Sequence, residues 1–272
     1  MSHPGRLRRH QGMRIAIAGG TGTLGSHVAT QLRSRRHEVR VLSRSAPEYR
    51  VDLVTGAGLE AALRGCDVVV DASNNAGRKA AEVLVEGTRR LLAAERAAGV
   101  SHHVCVSIVG CDQVPMGYYR VKTAQENLVT QGPVPWTIVR ATQFHELVAS
   151  ILGAAARWRA LPAPRALLQP VACAEVAWCV ADIAEQPARR ARTSIAGPEV
   201  TELRTLARTW RSVTGRRLAL IPVWVPGRVG RALRSAALTT RQAEMTGRVS
   251  FAAWLEAEAG AAVAARGKPG DE

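Results

Sequence analysis

The segment Ile15–Leu32 reads IAIAGGTGTLGSHVATQL: four apolar residues, a glycine-rich turn, then apolar positions at helical spacing. That order predicts a strand, a tight turn and a helix. Gly19, Gly22 and Gly25 stand in G-x-x-G-x-x-G spacing. Glycines so placed permit a sharp turn, close approach of backbone to a pyrophosphate and close packing of the new helix on the strand. The helix start then offers free N–H groups and the positive end of its dipole to phosphate. Thr21, Thr23 and Leu24 complete the turn and join the three glycines as candidate contacts to a dinucleotide.

Outward from this turn, short apolar runs alternate with helical patterns, the mark of repeated βαβ units. Strands are expected at Arg14–Ala18, Glu38–Leu42, Asp67–Asp71, His102–Val106 and Trp136–Arg140, with later ones near Leu167–Val171, Thr193–Ala196 and Leu218–Val223. Arg78–Ala98 is the most periodic helix, with Val83, Leu84, Gly87, Leu91 and Leu92 on one face and Gly99 as its stop. The expected fold is a Rossmann-type doubly wound α/β sheet with a small C-terminal substrate-binding lobe. Its expected divisions are a basic flexible leader (1–12), an NAD(P)-binding core (13–145), a lobe partly interwoven with that core (146–258) and a flexible tail (259–272). Met13, one residue before the first strand, is a possible natural start.

The 272 residues are 47% hydrophobic and 22% charged, and no apolar run approaches the roughly 20 residues of a membrane span. Five cysteines, Cys66, Cys105, Cys111, Cys173 and Cys179, are odd in number and form no C-x-x-C. They read as reduced core thiols in a cytoplasm rather than disulfides or a zinc site. The formal charge of +15 raises the question of nucleic acid, but only three of the 37 basic residues are lysines, and the arginines are scattered without interleaved stacking aromatics. A small molecule is the expected partner, with neither membrane nor nucleic acid. His102 and His103, adjacent on a strand, point to opposite faces and have no carboxylate or further thiol at ligand spacing in the sequence, so no metal is expected.

Cofactor choice is read where the second strand ends, because an acid there binds a ribose 2′-hydroxyl and a basic group accommodates a 2′-phosphate. The strand ends in Ser43 and Arg44. A guanidinium fork suits phosphate, so NADP(H) is favoured over NAD(H). Asp52, followed by Leu53, is a candidate for the adenine amino group. Ala72, Ser73 and Asn74, after the third strand, should border the cofactor. Ala141 and Thr142 follow the fifth strand as further cofactor contacts, and Gln143, Phe144 and His145 are expected to begin the substrate pocket.

AGGTGTLG, VLSRS, VSIVGCD, GYYRVKTAQE and WTIVRATQFHE occur in an order that resembles the NmrA-like atypical short-chain dehydrogenase/reductases, and weaker likeness extends over nearly the whole chain. The resemblance implies either an NADPH-dependent reductase of small carbonyl or quinone-like compounds or a non-catalytic NADP-binding sensor that regulates a protein partner. Tyr118 and Lys122 match the family's Y-x-x-x-K and fall one turn apart on a helix. In the family's catalytic members the tyrosine protonates the carbonyl oxygen, while the lysine holds nicotinamide ribose and lowers the tyrosine pKa. Ser107 would be the second donor to that oxygen. Tyr119 is an alternative phenol, and the eleven-residue separation of Ser107 from Tyr118 is tighter than in the catalytic relatives.

Overall fold

The computed structural model describes residues 12–266, and in them the alternation of strand and helix becomes one eight-stranded parallel sheet. Its first half runs β1 (Arg14–Ala18), α1 (Thr23–Ser34), β2 (Glu38–Ser43), β3 (Tyr49–Arg50), α2 (Leu59–Leu63) and β4 (Val68–Asp71). A π-helical stretch, Glu82–Glu86, leads into α3 (Gly87–Ala98), followed by β5 (His102–Ile108), α4 (Gly117–Gln131) and β6 (Trp136–Ala141). Next come α5 (His145–Arg157), β7 (Ala160–Pro164), β8 (Leu167–Leu168), α6 (Cys173–Ala184) and β9 (Arg192–Ala196). The remainder is β10 (Thr201–Glu202), α7 (Leu203–Thr214), β11 (Ala219–Val223), α8 (Gly227–Arg234), β12 (Met245–Thr246) and α9 (Phe251–Arg266). Residues 1–11 and 267–272, in the expected leader and tail, lie outside the described residues, while 259–266 continue α9.

The strand order is β12-β9-β6-β5-β4-β1-β2-β3, so the chain leaves β1 toward β2 on one side and returns to β4 on the other. Loops after β1 and β4 therefore diverge, opening the crevice in which doubly wound sheets hold ligands. Both sheet faces are covered, which explains why the central strands are apolar throughout rather than alternating with polar residues. Ile15 and Ile17 of β1 meet Val28 and Leu32 of α1 and Val176, Ala177 and Val180 of α6. Ala16 and Ala18 face the opposite layer, with Leu63, Leu91 and Val129 of α2, α3 and α4. A third cluster joins Leu152, Leu161, Leu206, Trp210 and Phe251 from α5, β7, α7 and α9. All five cysteines are buried and free.

The later strands depart from expectation. The run Leu167–Val171 is broken into a two-residue strand, β8, that pairs antiparallel with β10, and a single bridge from Val171 to Phe144 beyond Pro170, which has no N–H to donate. Leu218–Val223 becomes β11, outside the main sheet and parallel to β7. Pro162, Pro164 and Pro222 occur in that two-stranded ribbon, where missing donors can face away from the single partner.

A polar network fixes α4 across the ends of β5, β6 and β9. Glu126, 1% exposed at its side chain, accepts from Arg140 Nε and Nη2 at 2.9 and 2.7 Å and from Arg192 Nε at 2.8 Å. Burial alone would raise this carboxyl, but hydrogen bonds from Arg140, Ser107 and Arg192 hold it at about 2. A carboxylate with a depressed folded pKa stabilises the fold fully above its ordinary value of 4.5 and loses that contribution as pH falls toward 2. Glu126→Gln should cost about 3–5 kcal/mol at neutral pH, since Arg140 keeps a charge without its buried partner. Urea titrations should show the gap between parent and variant narrowing from pH 4.5 to 2.

Candidate functional site

The turn after β1 is built by backbone crowding. Gly19 has φ +73°, and a Cβ there would lie 2.8 Å from Ala72 O and from Ser73 Cα. A Cβ on Gly25 would run into Gly19 O, so α1 packs against the turn only without a side chain. Gly22 N–H donates to Gly19 O at 2.9 Å and Gly19 N–H to Leu42 O at 3.0 Å, closing the turn on β2. Gly22 is the N-cap of α1, with no side-chain cap and no acid in the first turn. Thr21 and Thr23 are exposed beside these amides, whereas the Leu24 side chain packs in the core and only its backbone faces the turn.

Across the crevice, Asp71 at the end of β4 is wholly buried. Its Oδ1 accepts from Ser73 N–H at 3.0 Å, and its Oδ2 from Thr88 Oγ1 at 3.2 Å and Gln125 Nε2 at 3.0 Å. The Ser73 hydroxyl is buried and has no partner among the described residues. An orphaned hydroxyl costs free energy unless a ligand engages it. With the uncapped helix start and the cradle at Gly19 and Gly25, the residues present fit a dinucleotide.

The other expected cofactor residues divide. Arg44 is exposed, with no hydrogen bond or ion pair among the described residues, at the end of β2 beside Ser43. Ser43 Oγ accepts from Ser45 N–H at 3.2 Å. Asp52 Oδ1 accepts from Val54 N–H at 2.9 Å within its own turn, and Leu53 packs against α3 near Gly87. Ala141 is buried at the end of β6, and the Thr142 hydroxyl is held between Gln169 O and Gly197 N–H.

Tyr118 at the start of α4 donates its hydroxyl to Asn74 Oδ1 at 2.7 Å, bridging that helix to the loop that meets Gly19. Burial is the main cause that pushes the phenol up to about 12, and Lys122 is not among the groups acting on it. Lys122 is 3% exposed, its ammonium donating to Val106 O at 2.8 Å and Gln125 Oε1 at 2.6 Å. The expected lowering of the tyrosine by this lysine is therefore absent from the described geometry. Ser107 is buried against Cys111 and Glu126 on the α4 side of β5. Tyr119 packs on Val114, Ala237 and Leu238 rather than at the crevice.

Two of the residues expected to begin the substrate pocket are engaged within the chain. Gln143 bonds Leu238 O and Gln169 N–H, at 2.9 Å each. His145 is wholly buried, its Nε2 on Val249 O at 3.0 Å and its ring 5.6 Å from both Phe251 and Trp254. Burial also lowers its pKa. These two side chains join the segments after β6 to the C-terminal cluster, while Phe144 packs half-buried on the main core. His102 and His103 do face apart, toward Thr137 and Glu95. Strand pairing nevertheless sets Asp71, His103 and Cys105 within 4.8 Å of one another, a cluster that spacing along the chain could not show. Both Asp71 oxygens already accept hydrogen bonds, and His103 Nδ1 lies 2.8 Å from Glu95.

A family model described as NAD(P)H-binding matches residues 19–187, more than half the chain and all of this crevice. The chain belongs to the NAD(P)H-binding family. It is 29% identical over 147 residues to the photosystem II assembly factor Ycf39 of Synechocystis, covering 48% of this chain and 45% of that protein. It thus spans about half the length of the curated relatives it matches. The fold resembles a nucleoside-diphosphate-sugar epimerase of Staphylococcus aureus, with TM-score 0.73, 17% identity, and 90% and 100% of the two chains covered. It also resembles an NADPH-dependent quinone oxidoreductase of Escherichia coli, with TM-score 0.72, 17% identity, and 90% and 99% covered. The resemblance to atypical short-chain dehydrogenase/reductases and the Rossmann-type fold are both borne out. No helix among the described residues is long and apolar enough to cross a membrane.

Ser73→Ala should leave the ligand-free protein as stable as the parent or raise its stability by about 1 kcal/mol, because it deletes an unpaired buried group. The same change should weaken NADPH binding. Thermal denaturation with and without NADPH separates the two effects.

Proposed function

We propose that this chain is an NADPH-dependent oxidoreductase that reduces a small carbonyl or quinone-like acceptor. The observation that carries the reading is the Tyr118 hydroxyl on Asn74, beside the glycine turn and at the mouth of the crevice. A bound nicotinamide would supply the hydride. Tyr118, held protonated by its raised pKa, would supply the proton to the acceptor oxygen and recover one from solvent through its partly exposed edge. Gly19, Gly22, Gly25 and the first amides of α1 would hold the pyrophosphate. Arg44 would take the 2′-phosphate, and Ser73 would complete the wall on the β4 side.

One observation favours the second reading, an NADP-binding sensor acting on a protein partner. The Lys122 ammonium is committed to Val106 and Gln125, and Tyr118 is raised rather than lowered. The Ycf39 relatives, named as assembly factors, are compatible with such a role.

Tyr118→Phe should lower NADPH oxidation by roughly 10²-fold or more, with NADPH binding retained. Steady-state assays across quinones, aldehydes and ketones check this. Tight NADPH binding with no oxidation by any acceptor would select the sensor. Arg44→Ala should weaken NADPH by about tenfold or more and leave NADH nearly unchanged, because a charge-assisted hydrogen bond is lost only for the phosphorylated cofactor. Calorimetric titration of both cofactors reads the difference.

A further inference from the structure

A cavity of about 640 Å³ lies on the far side of α4 from the Tyr118–Asn74 contact, between that helix, the loop after β5 and α8. Arg120, Thr123 and Asn127 line it from α4, Arg228 and Arg231 from α8, and Asp112 from the loop. Along α4, residues 120, 123, 124 and 127 share one face, whereas Lys122, Gln125 and Glu126 turn inward to the sheet. The cavity and the crevice are therefore separated by the helix itself.

Its charge is unbalanced. The side chains of Arg120, Arg228 and Arg231 are exposed and make no hydrogen bond or ion pair among the described residues. The single acid in the lining, Asp112, is already engaged by Arg140 at 3.3 Å. Arg234, also on α8, shows the alternative: it donates to Val225 O at 3.1 Å and lies over the Trp224 ring at 4.1 Å. Three unpaired guanidinium groups around one concavity make its potential positive, and their donor forks match phosphate or carboxylate oxygens. The floor is firm, since Val114, Ala232 and Ala237 are buried together there. The volume lies within the roughly 300–1,000 Å³ of small-molecule sites, more than an inorganic anion would fill.

We propose that the α4–α8 cavity is a second binding site, for a small organic molecule carrying at least two negative charges on phosphate or carboxylate groups. Arg120, Arg228 and Arg231 hold the charges, and the Asn127 amide is placed to bond the uncharged part. The site stands apart from the dinucleotide crevice and does not rest on the function proposed there.

The test uses the full chain, with inorganic pyrophosphate and citrate titrated calorimetrically at constant ionic strength. At least one should bind in a one-to-one ratio. The double variant Arg120→Gln, Arg231→Gln should lose about tenfold or more in affinity, since two charge-assisted contacts disappear from exposed positions. Arg44→Ala, at the other site, should leave that affinity unchanged. Failure of both anions to bind, undiminished binding in the double variant, or loss of binding in Arg44→Ala would each overturn the proposal, the last by placing the anion in the cofactor crevice.

Discussion

The contact between Gly19 and the backbone of Ala72 and Ser73 is the constraint on which the rest depends. It occurs because β1 lies between β2 and β4, so the loops leaving β1 and β4 part at one point of the sheet. A side chain at Gly19 would sit 2.8 Å from Ala72 O and force the loops apart. In contact, they place the uncapped start of α1 and the unpartnered Ser73 hydroxyl on one crevice at a fixed separation. Asn74, next along that loop, takes the Tyr118 hydroxyl and so ties the start of α4 to the same point. The glycine turn and the Tyr118 hydroxyl are thereby positioned by one backbone approach.

Helix α4 translates this constraint into the rest of the molecule. Its buried face carries Lys122, Gln125 and Glu126, an unusual load of polar groups for a core position. Each is matched: Lys122 to Val106 and Gln125, Gln125 to Asp71 and Thr88, Glu126 to Arg140 and Arg192. Networks satisfied in this way specify one arrangement more than they add stability, because desolvation consumes much of the electrostatic gain. The register of α4 on the sheet is fixed, and with it the direction of Tyr118 on one side and Arg120 on the other.

The glycine turn, β1 and the central strands were legible because local sequence and tertiary role coincide there: a turn that needs Gly19 needs it whatever surrounds it. His145 and Gln143 were not. Their partners, Val249 and Leu238, lie about a hundred residues further along, and periodicity carries no trace of such contacts. The Tyr118 and Lys122 spacing correctly puts them on one helix, yet spacing does not say where an ammonium points once Val106 O and Gln125 are within reach. Asp71, His103 and Cys105 met only through the pairing of β4 with β5.

The central claim is that the crevice between the loops after β1 and β4 receives the dinucleotide. Hydrogen–deuterium exchange of the full chain with and without NADPH tests it most directly, because a bound pyrophosphate must occupy the free amides. The account expects slowed exchange at Thr23–Gly25 and in the Ala72–Asn74 loop, with little change along α8. NADPH-dependent protection confined to α4 and α8, with the glycine turn unaffected, would contradict it.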